Sequence, residues 1–399
     1  MRKIMFIILD GVGDKPCKEL GGKTPLEVAE TPNLDRLARE GVCGSVRISE
    51  KPPESDEGHL ALFGYNLKKH YPGRGPIEAA GVGLTLQRGD VAFRANMATV
   101  DERMIIVDRR AGRIETTEPF AKKANGMEID GVKFLLKAGN AHRMALVMRG
   151  PGLSDKISNT DPHEEGKAVL ASEPLDGSDN AKLTARLLNE FLSKTHEMFD
   201  AMPENQERIA RKMKPANQIL TRGAGYYRPI PPFKNKYKLK ACCVTGGGLY
   251  LGLGRLMGMK PLEAIGATGD AKTDIQCKLT TAMRGLKQYD FAYVHIKGTD
   301  IFGHDGDANG KRRFIEKVDR SMPVLHSFDG VIVVTADHST PCVLKDHSSD
   351  PVPIVISRGL ERDRISRFSE SACALGSLGR IEARDVMPAV LRLAGSTNL

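Results

Sequence analysis

The chain has 399 residues, 40% apolar and only 5% aromatic with no tryptophan, and a formal charge of +9; this length suits two or three domains with a real core, and no apolar run approaches the roughly 18 residues of a membrane helix. The seven cysteines are scattered, with only Cys242 and Cys243 adjacent, which excludes a disulfide framework or a zinc knuckle as the organising device. The basic excess reads either as a solvated surface or as a match for a small phosphorylated or carboxylated substrate; with so few aromatics and no RNA-binding signature, nothing is offered for stacking bases, so no nucleic-acid partner is expected.

In chain order, "KIMFIILDG" is an apolar run that Asp10 and Gly11 close too early for a signal peptide. It predicts a buried first strand, in a cytoplasmic protein. "TPNLDRLAREG" predicts a helix, with Pro32 near its start and Gly41 just past its end. "ESDEGHLALFGY" then sets Ser55 in an acidic turn before an apolar helical run, where it suits either a helix cap or a nucleophile.

From about Tyr71 to Tyr227 the segments become shorter, richer in arginine and punctuated by glycine and proline. "GDVAFRANMATVDERMIIVDRRAGRIETTE" predicts hairpin-forming strands, and "HRMALVMRGPG" is a further apolar run. "SDNAKLTARLLNEFLSKTHEMF" predicts the longest helix, with Leu183, Leu187, Leu188, Phe191 and Leu192 on its apolar face. These features predict a smaller α+β domain, residues 71–227, inserted into a discontinuous domain of residues 1–70 and 228–399, with "RPIPPFKNKY" as the return linker. Beyond it "KLKACCVTGG", "YDFAYVHIKGTD" and "GVIVVTADH" resemble the first strand. Continuous apolar runs suit strands covered on both faces, so the larger domain is predicted to be α/β, a mainly parallel sheet flanked by helices.

Three of these buried runs end in acids: Asp10, Asp300 and Asp337. In an open α/β sheet ligands bind beyond the carboxyl ends of the strands, so acids far apart in sequence are expected to converge there. His338 follows Asp337 directly, His304 lies four residues after Asp300, and His347 nine after His338. Any one of these residues alone is more often a cap, a turn former or polar filler. As a set they offer the mixed carboxylate and imidazole donors that suit Mn²⁺, Zn²⁺ or Co²⁺ better than a pure Mg²⁺ cage. Coordination to such an ion activates a serine hydroxyl, and paired ions about 3.5–4 Å apart hold an attacking and a phosphoryl oxygen for in-line transfer.

The combination resembles the alkaline phosphatase superfamily, and within it the cofactor-independent phosphoglycerate mutases of archaeal type. The motifs that carry the resemblance are "ILDGVGD", "SDEGHLALFGY", "GRGPIEAAGVG", "GDVAFRANMATVDE", "DRRAGRI", "DPHEEG", "HIKGTDIFGHDGD", "TADHST" and the tail "GSLGRIEARDVMPAVLRLAG". The resemblance implies an alkaline-phosphatase-like fold and two divalent ions, Mn²⁺ first, with Zn²⁺, Co²⁺ or Mg²⁺ as the other candidates. One ion falls to Asp300, His304 and His347, the other to Asp10, Ser55, Asp337 and His338. It also implies that Ser55 takes the phosphoryl group of 3-phosphoglycerate and that the 2-hydroxyl of the retained glycerate recovers it, with no 2,3-bisphosphoglycerate required. Asp56, Glu57 and Gly58 depart from the Thr and Ala that follow the serine in many such proteins.

On that reading the inserted domain excludes water and retains the dephosphorylated acid, a task for arginine forks. The candidates are Arg94, Arg109, Arg110, Arg149 and Arg222, each also suited to a solvated surface. Asp108 and His163 are candidates for orienting hydroxyls, and Lys297 for the transferring phosphate or, more plainly, for solvent at a strand edge. The partner is then a small phosphoglycerate, with no nucleic acid and no membrane; the oligomeric state is not legible. A phosphomonoesterase or phosphodiesterase with the same metals and serine, and a noncatalytic anion binder, are the competing readings.

Overall fold

The computed structural model describes residues 1–396. The chain forms two compact units, Met1–Tyr71 with Pro231–Leu399, and Pro72–Ile230. Its strands are β1 (Ile4–Leu9), β2 (Gly41–Arg47), β3 (Val91–Val100), β4 (Ile106–Asp108), β5 (Glu128–Ile129), β6 (Val132–Ala138), β7 (Arg143–Arg149), β8 (Gln218–Tyr226), β9 (Ala241–Val244), β10 (Lys260–Pro261), β11 (Phe291–Ile296), β12 (Val331–Thr335), β13 (Val352–Ser357) and β14 (Gly379–Glu382).

The first unit is built on an eight-stranded sheet of order β10-β9-β11-β1-β12-β13-β2-β14. Only β13 runs antiparallel to its neighbours, so the sheet is mainly parallel as predicted. Every residue of β1, β11, β12 and β13 is buried, the mark of strands covered on both faces. Their aliphatic side chains supply the core, each worth about 1.5–3 kcal/mol when fully removed from water. Leu9 is level with Ile296 on one side, and Ile8 with Thr335 on the other. Whatever follows β1, β11 and β12 therefore leaves the sheet at a common edge.

Gly41 lies just past the Pro32–Arg39 helix, as expected, and also opens β2, where a Cβ would meet the Ile356 carbonyl oxygen at 2.4 Å. One local expectation is corrected. Part of "RPIPPFKNKY" is a helix, Phe233–Tyr237, because Phe233 is buried against Phe63 and Phe291.

One buried cation belongs to the scaffold. Lys278 has no exposed surface, and its Nζ donates to the carbonyls of Thr268 (3.1 Å) and His295 (3.0 Å). Burial pushes its pKa down to about 8, against a partial pull upward from Asp270. The folded chain thus binds fewer protons at this site than the unfolded chain between about pH 8 and 10.5. The cost of the buried charge is present in full below this window and is lost across it. Relative to Lys278→Met, wild-type stability is expected to rise from pH 8 to 10.5 in chemical denaturation; a pH-independent difference rejects this account.

The second unit carries a six-stranded antiparallel sheet, β4-β3-β7-β6-β5 with β8 also paired to β3. The apolar run of β7 is covered on both faces here without being parallel. Met144, Leu146 and Met148 join a cluster with Phe134 and Phe191, while Ala145 and Val147 pack with Ala79 and Ala92. The long helix Asp179–Asp200, capped by Ser178, buries Leu187, Leu188, Phe191 and Leu192 in the first of these clusters; Leu183 is partly exposed.

Candidate metal centre

Asp10 leaves the end of β1 wholly buried. Its Oδ2 accepts from the Tyr250 hydroxyl (2.5 Å) and Lys297 Nζ (3.2 Å), and lies 2.8 Å from His295 Nε2. Its Oδ1 has no hydrogen-bond partner and stands 3.4 Å from His338 Nε2. Asp337, just past β12, is arranged in the same way. Oδ1 accepts the Gly11 N–H at 3.2 Å, whereas Oδ2 makes no hydrogen bond and lies 3.4 Å from His338 Nε2 and 3.2 Å from His59 Nδ1. The Ser55 hydroxyl sits 3.1 Å from His338 Nε2. Asp10, Asp337 and His338 thus present donors within 4.8 Å of one another.

A second group adjoins it: Asp300, His338 and His347. Asp300 Oδ1 accepts from the Thr340 hydroxyl (2.8 Å) and lies 3.4 Å from His304 Nε2 and from His347 Nε2, while Oδ2 receives Lys297 Nζ at 2.6 Å. His347 stacks on His338 with ring centroids 3.7 Å apart. His304 stays outside this group, more exposed, with Nδ1 3.1 Å from the Lys345 carbonyl oxygen. The expected partition gave His338 to one ion; here its ring stands in both groups.

These residues fit divalent cations. All three carboxyls are mutually close, the Asp10 charge acting to raise the pKa of Asp337 and the Asp300 charge that of Asp10, and Asp10 and Asp337 each keep an unpartnered oxygen. Buried like charges of that kind are costly unless a cation compensates them. Burial acts to raise all three carboxyls, yet each is held below its ordinary range: Asp10 chiefly by Lys297, Asp300 by His304 and His347, and Asp337 by His338 and His59. Burial pushes His295 down to about 4, so it faces Asp10 as a neutral ring.

Ser55 is not the helix cap. Glu54 holds the N-cap position of the Ser55–Leu62 helix, and its backbone N–H donates to Glu57 at 3.2 Å. Glu57 therefore has a structural use, and Ser55, the first helical residue, keeps its hydroxyl for His338. Gly58 is needed by close approach, since a Cβ there would meet the Asp337 carbonyl oxygen at 2.2 Å.

Four residues around this centre escaped sequence reasoning. His59 bears a signal, as it stands one helical turn after Ser55, and Nδ1 lies 2.6 Å from the Ser55 carbonyl oxygen. His295 interrupts an otherwise apolar strand two residues before Lys297. Thr340 and Tyr250 carry no local pattern that separates them from ordinary helix and loop residues.

The arginine candidates of the second unit divide. Arg94 and Arg222 are cross-strand partners on β3 and β8. Arg94 Nε is buried without a partner, and burial and then Arg222 push its pKa down to about 10. Arg222 lies 3.1 Å from His163 Nδ1, and Arg109 pairs with Asp161 at 2.7 Å; Asp161 in turn accepts the His163 N–H at 2.9 Å. Arg149 stands apart: its fork is filled by Asp90 (2.9 and 2.8 Å) and the Thr85 carbonyl (2.8 Å). Asp108 is likewise engaged, by Lys214 (3.0 Å) and the Arg110 N–H (2.8 Å), and the Arg110 side chain is exposed.

The family model of 2,3-bisphosphoglycerate-independent phosphoglycerate mutase matches residues 38–205. The chain is 44% identical over 402 residues to 2,3-bisphosphoglycerate-independent phosphoglycerate mutase 1 of Methanocaldococcus jannaschii, covering 98% of this chain and 97% of that protein. The chain belongs to the 2,3-bisphosphoglycerate-independent phosphoglycerate mutase family. It is also 45% identical to the mutase of Methanosphaera stadtmanae, over 97% of this chain and 96% of that one. Among solved structures, the cofactor-independent phosphoglycerate mutase of Thermoplasma acidophilum is similar at a TM-score of 0.75 and 37% identity, covering 99% of this chain and 100% of that chain. No helix among the described residues is long and apolar enough to cross a membrane.

Proposed function

We propose that the chain interconverts 3-phosphoglycerate and 2-phosphoglycerate, a step of glycolysis and gluconeogenesis, through a phosphoserine at Ser55 and without 2,3-bisphosphoglycerate. The observation that carries this reading is the Ser55 hydroxyl beside His338, with the unpartnered oxygens of Asp10 and Asp337. Asp10, Ser55, Asp337 and His338 hold one divalent ion, and Asp300, His304 and His347 the other, with Mn²⁺ the first candidate. Bound ions supply neutralisation of phosphoryl charge and a lowered pKa for the serine hydroxyl.

Ser55 Oγ attacks phosphorus and the 3-oxygen of the substrate leaves as the glycerate hydroxyl. Lys297 spends two of its three ammonium donors on Asp10 and Asp300, leaving one for a phosphoryl oxygen. The 2-hydroxyl of the same glycerate then attacks the phosphoserine, which restores Ser55 and gives 2-phosphoglycerate. Arg94, Arg109 and Arg222 bind the anionic ends of the substrate, and His163 orients a hydroxyl. Arg149, its fork already filled, is left out of this set. The phosphoglycerate is the small-molecule partner, and a cytoplasmic location follows from the pathway.

Arg94→Met is expected to raise KM for 3-phosphoglycerate about 10–100-fold, the equivalent of a charged hydrogen bond of about 1.5–3 kcal/mol, with little change in thermal midpoint. Steady-state kinetics with an unchanged KM removes Arg94 from the substrate set. The reading as a whole is tested by ³¹P NMR of 3-phosphoglycerate with protein that is first chelated and then given Mn²⁺. Metal-dependent appearance of 2-phosphoglycerate without 2,3-bisphosphoglycerate supports it. Free phosphate alone favours a phosphomonoesterase, and an unchanged spectrum rejects the substrate.

A further inference from the structure

We propose that Tyr250 is a positioning residue of the metal centre, whose hydroxyl pins Asp10 Oδ2 so that Oδ1 alone is turned toward a divalent ion. The inference rests on the reading of Asp10 as a metal ligand.

Tyr250 projects from the Gly248–Leu256 helix and is 3% exposed. Its ring stacks on His295 with centroids 3.4 Å apart and planes inclined by 20°, and lies 5.2 Å from the His59 ring. The helix start approaches closely: a Cβ on Gly247 would meet the Tyr250 ring at 3.0 Å. The ring is thereby fixed from several sides, and its hydroxyl is delivered to Asp10 Oδ2 at 2.5 Å.

The two Asp10 oxygens are treated unequally. Oδ2 faces Tyr250, His295 and Lys297, and Oδ1 has no hydrogen bond. A carboxylate left free on both oxygens rotates, and can present either one or both to an ion. Outer partners that hold one oxygen set the orientation of the other, and their loss typically costs 10–100-fold in metal affinity. Among the three, Lys297 is shared with Asp300 and the role of His295 depends on its tautomer. A phenol facing a carboxylate can only donate, so Tyr250 is the partner with a single possible role here. Its hydroxyl also lies within hydrogen-bonding reach of the Ser55 hydroxyl, which gives a second route that the test must separate.

Tyr250→Phe keeps the ring and its stack and removes only the hydroxyl. Mn²⁺ titration calorimetry on metal-stripped protein, in the wild-type and Ser55→Ala backgrounds, reads the effect without turnover. The expected result is a loss of about 10–100-fold in affinity at one Mn²⁺ site and not the other, in both backgrounds. The thermal midpoint of the metal-free chain should stay unchanged, and kcat should fall with KM within twofold. Unchanged Mn²⁺ affinities overturn the inference, as does a weakening that vanishes with Ser55→Ala, since the hydroxyl then acts through the serine. A wild-type chain that binds no Mn²⁺ instead overturns the metal reading on which the inference rests.

Discussion

Ser55→Ala is expected to lower mutase turnover by at least about 10³-fold, the scale on which removal of a nucleophile acts. The loss should fall on chemistry and leave folding almost untouched. Ser55 is the first helical residue, with Glu54 at the cap, so no cap worth about 1 kcal/mol goes with the hydroxyl. Its neighbour across the site is His338 Nε2 at 3.1 Å, and the backbone carbonyl that faces His59 is kept by alanine. The measurement pairs a kinetic assay with acid-quenched detection of phosphoserine after mixing with 3-phosphoglycerate. Wild type should accumulate the modified serine and the variant none. Substantial turnover in Ser55→Ala, with the thermal midpoint retained, would reject the phosphoserine route whatever the metal content.

The architecture of the larger unit was legible because burial on both faces leaves a direct trace, apolar runs, broken in β11 only by His295, that are followed within a few residues by an acid. β1, β11 and β12 each have that form, and their common register delivers Asp10, Asp300 and Asp337 to one edge. β13 was missed, since "PVPIVIS" opens on prolines that read as a turn, whereas Pro353 pairs within an antiparallel ladder to β2. The groups around the ligands were harder to see. Tyr250 reaches Asp10 from a helix 240 residues away in sequence, and nothing in "GGGLYLGLGRL" separates it from an ordinary apolar helix position. Charge patterning in the second unit was readable only as composition. Arg94 and Arg149 look alike in sequence, and only the cross-strand neighbour of one and the Asp90 carboxylate on the other tell them apart.

Asp300→Asn is expected to remove one of two bound ions and to lower kcat by about 10²–10³-fold or more, the range found when one charge-stabilising group is lost from an active site. The carboxylate does two things at once. Oδ1 gathers Thr340, His304 and His347, and Oδ2 holds Lys297 at 2.6 Å. An amide reproduces the shape but can turn only one acceptor toward these neighbours. If its oxygen serves the histidine side, its NH₂ faces the Lys297 ammonium, donor against donor. If it turns the other way, the NH₂ replaces the ligand oxygen. Either orientation weakens the ion associated with His304 and His347, and leaves Lys297 with its hydrogen bond to the Asp10 carboxylate. The site of Asp10, Asp337 and His338 keeps its own donors, so elemental analysis after exhaustive dialysis should read one Mn²⁺ per chain in place of two. Two ions retained would take Asp300 out of the ligand set and leave it as the anchor of Lys297. Loss of both would mean that His338, which stands in both donor groups, couples the two ions into one cooperative unit.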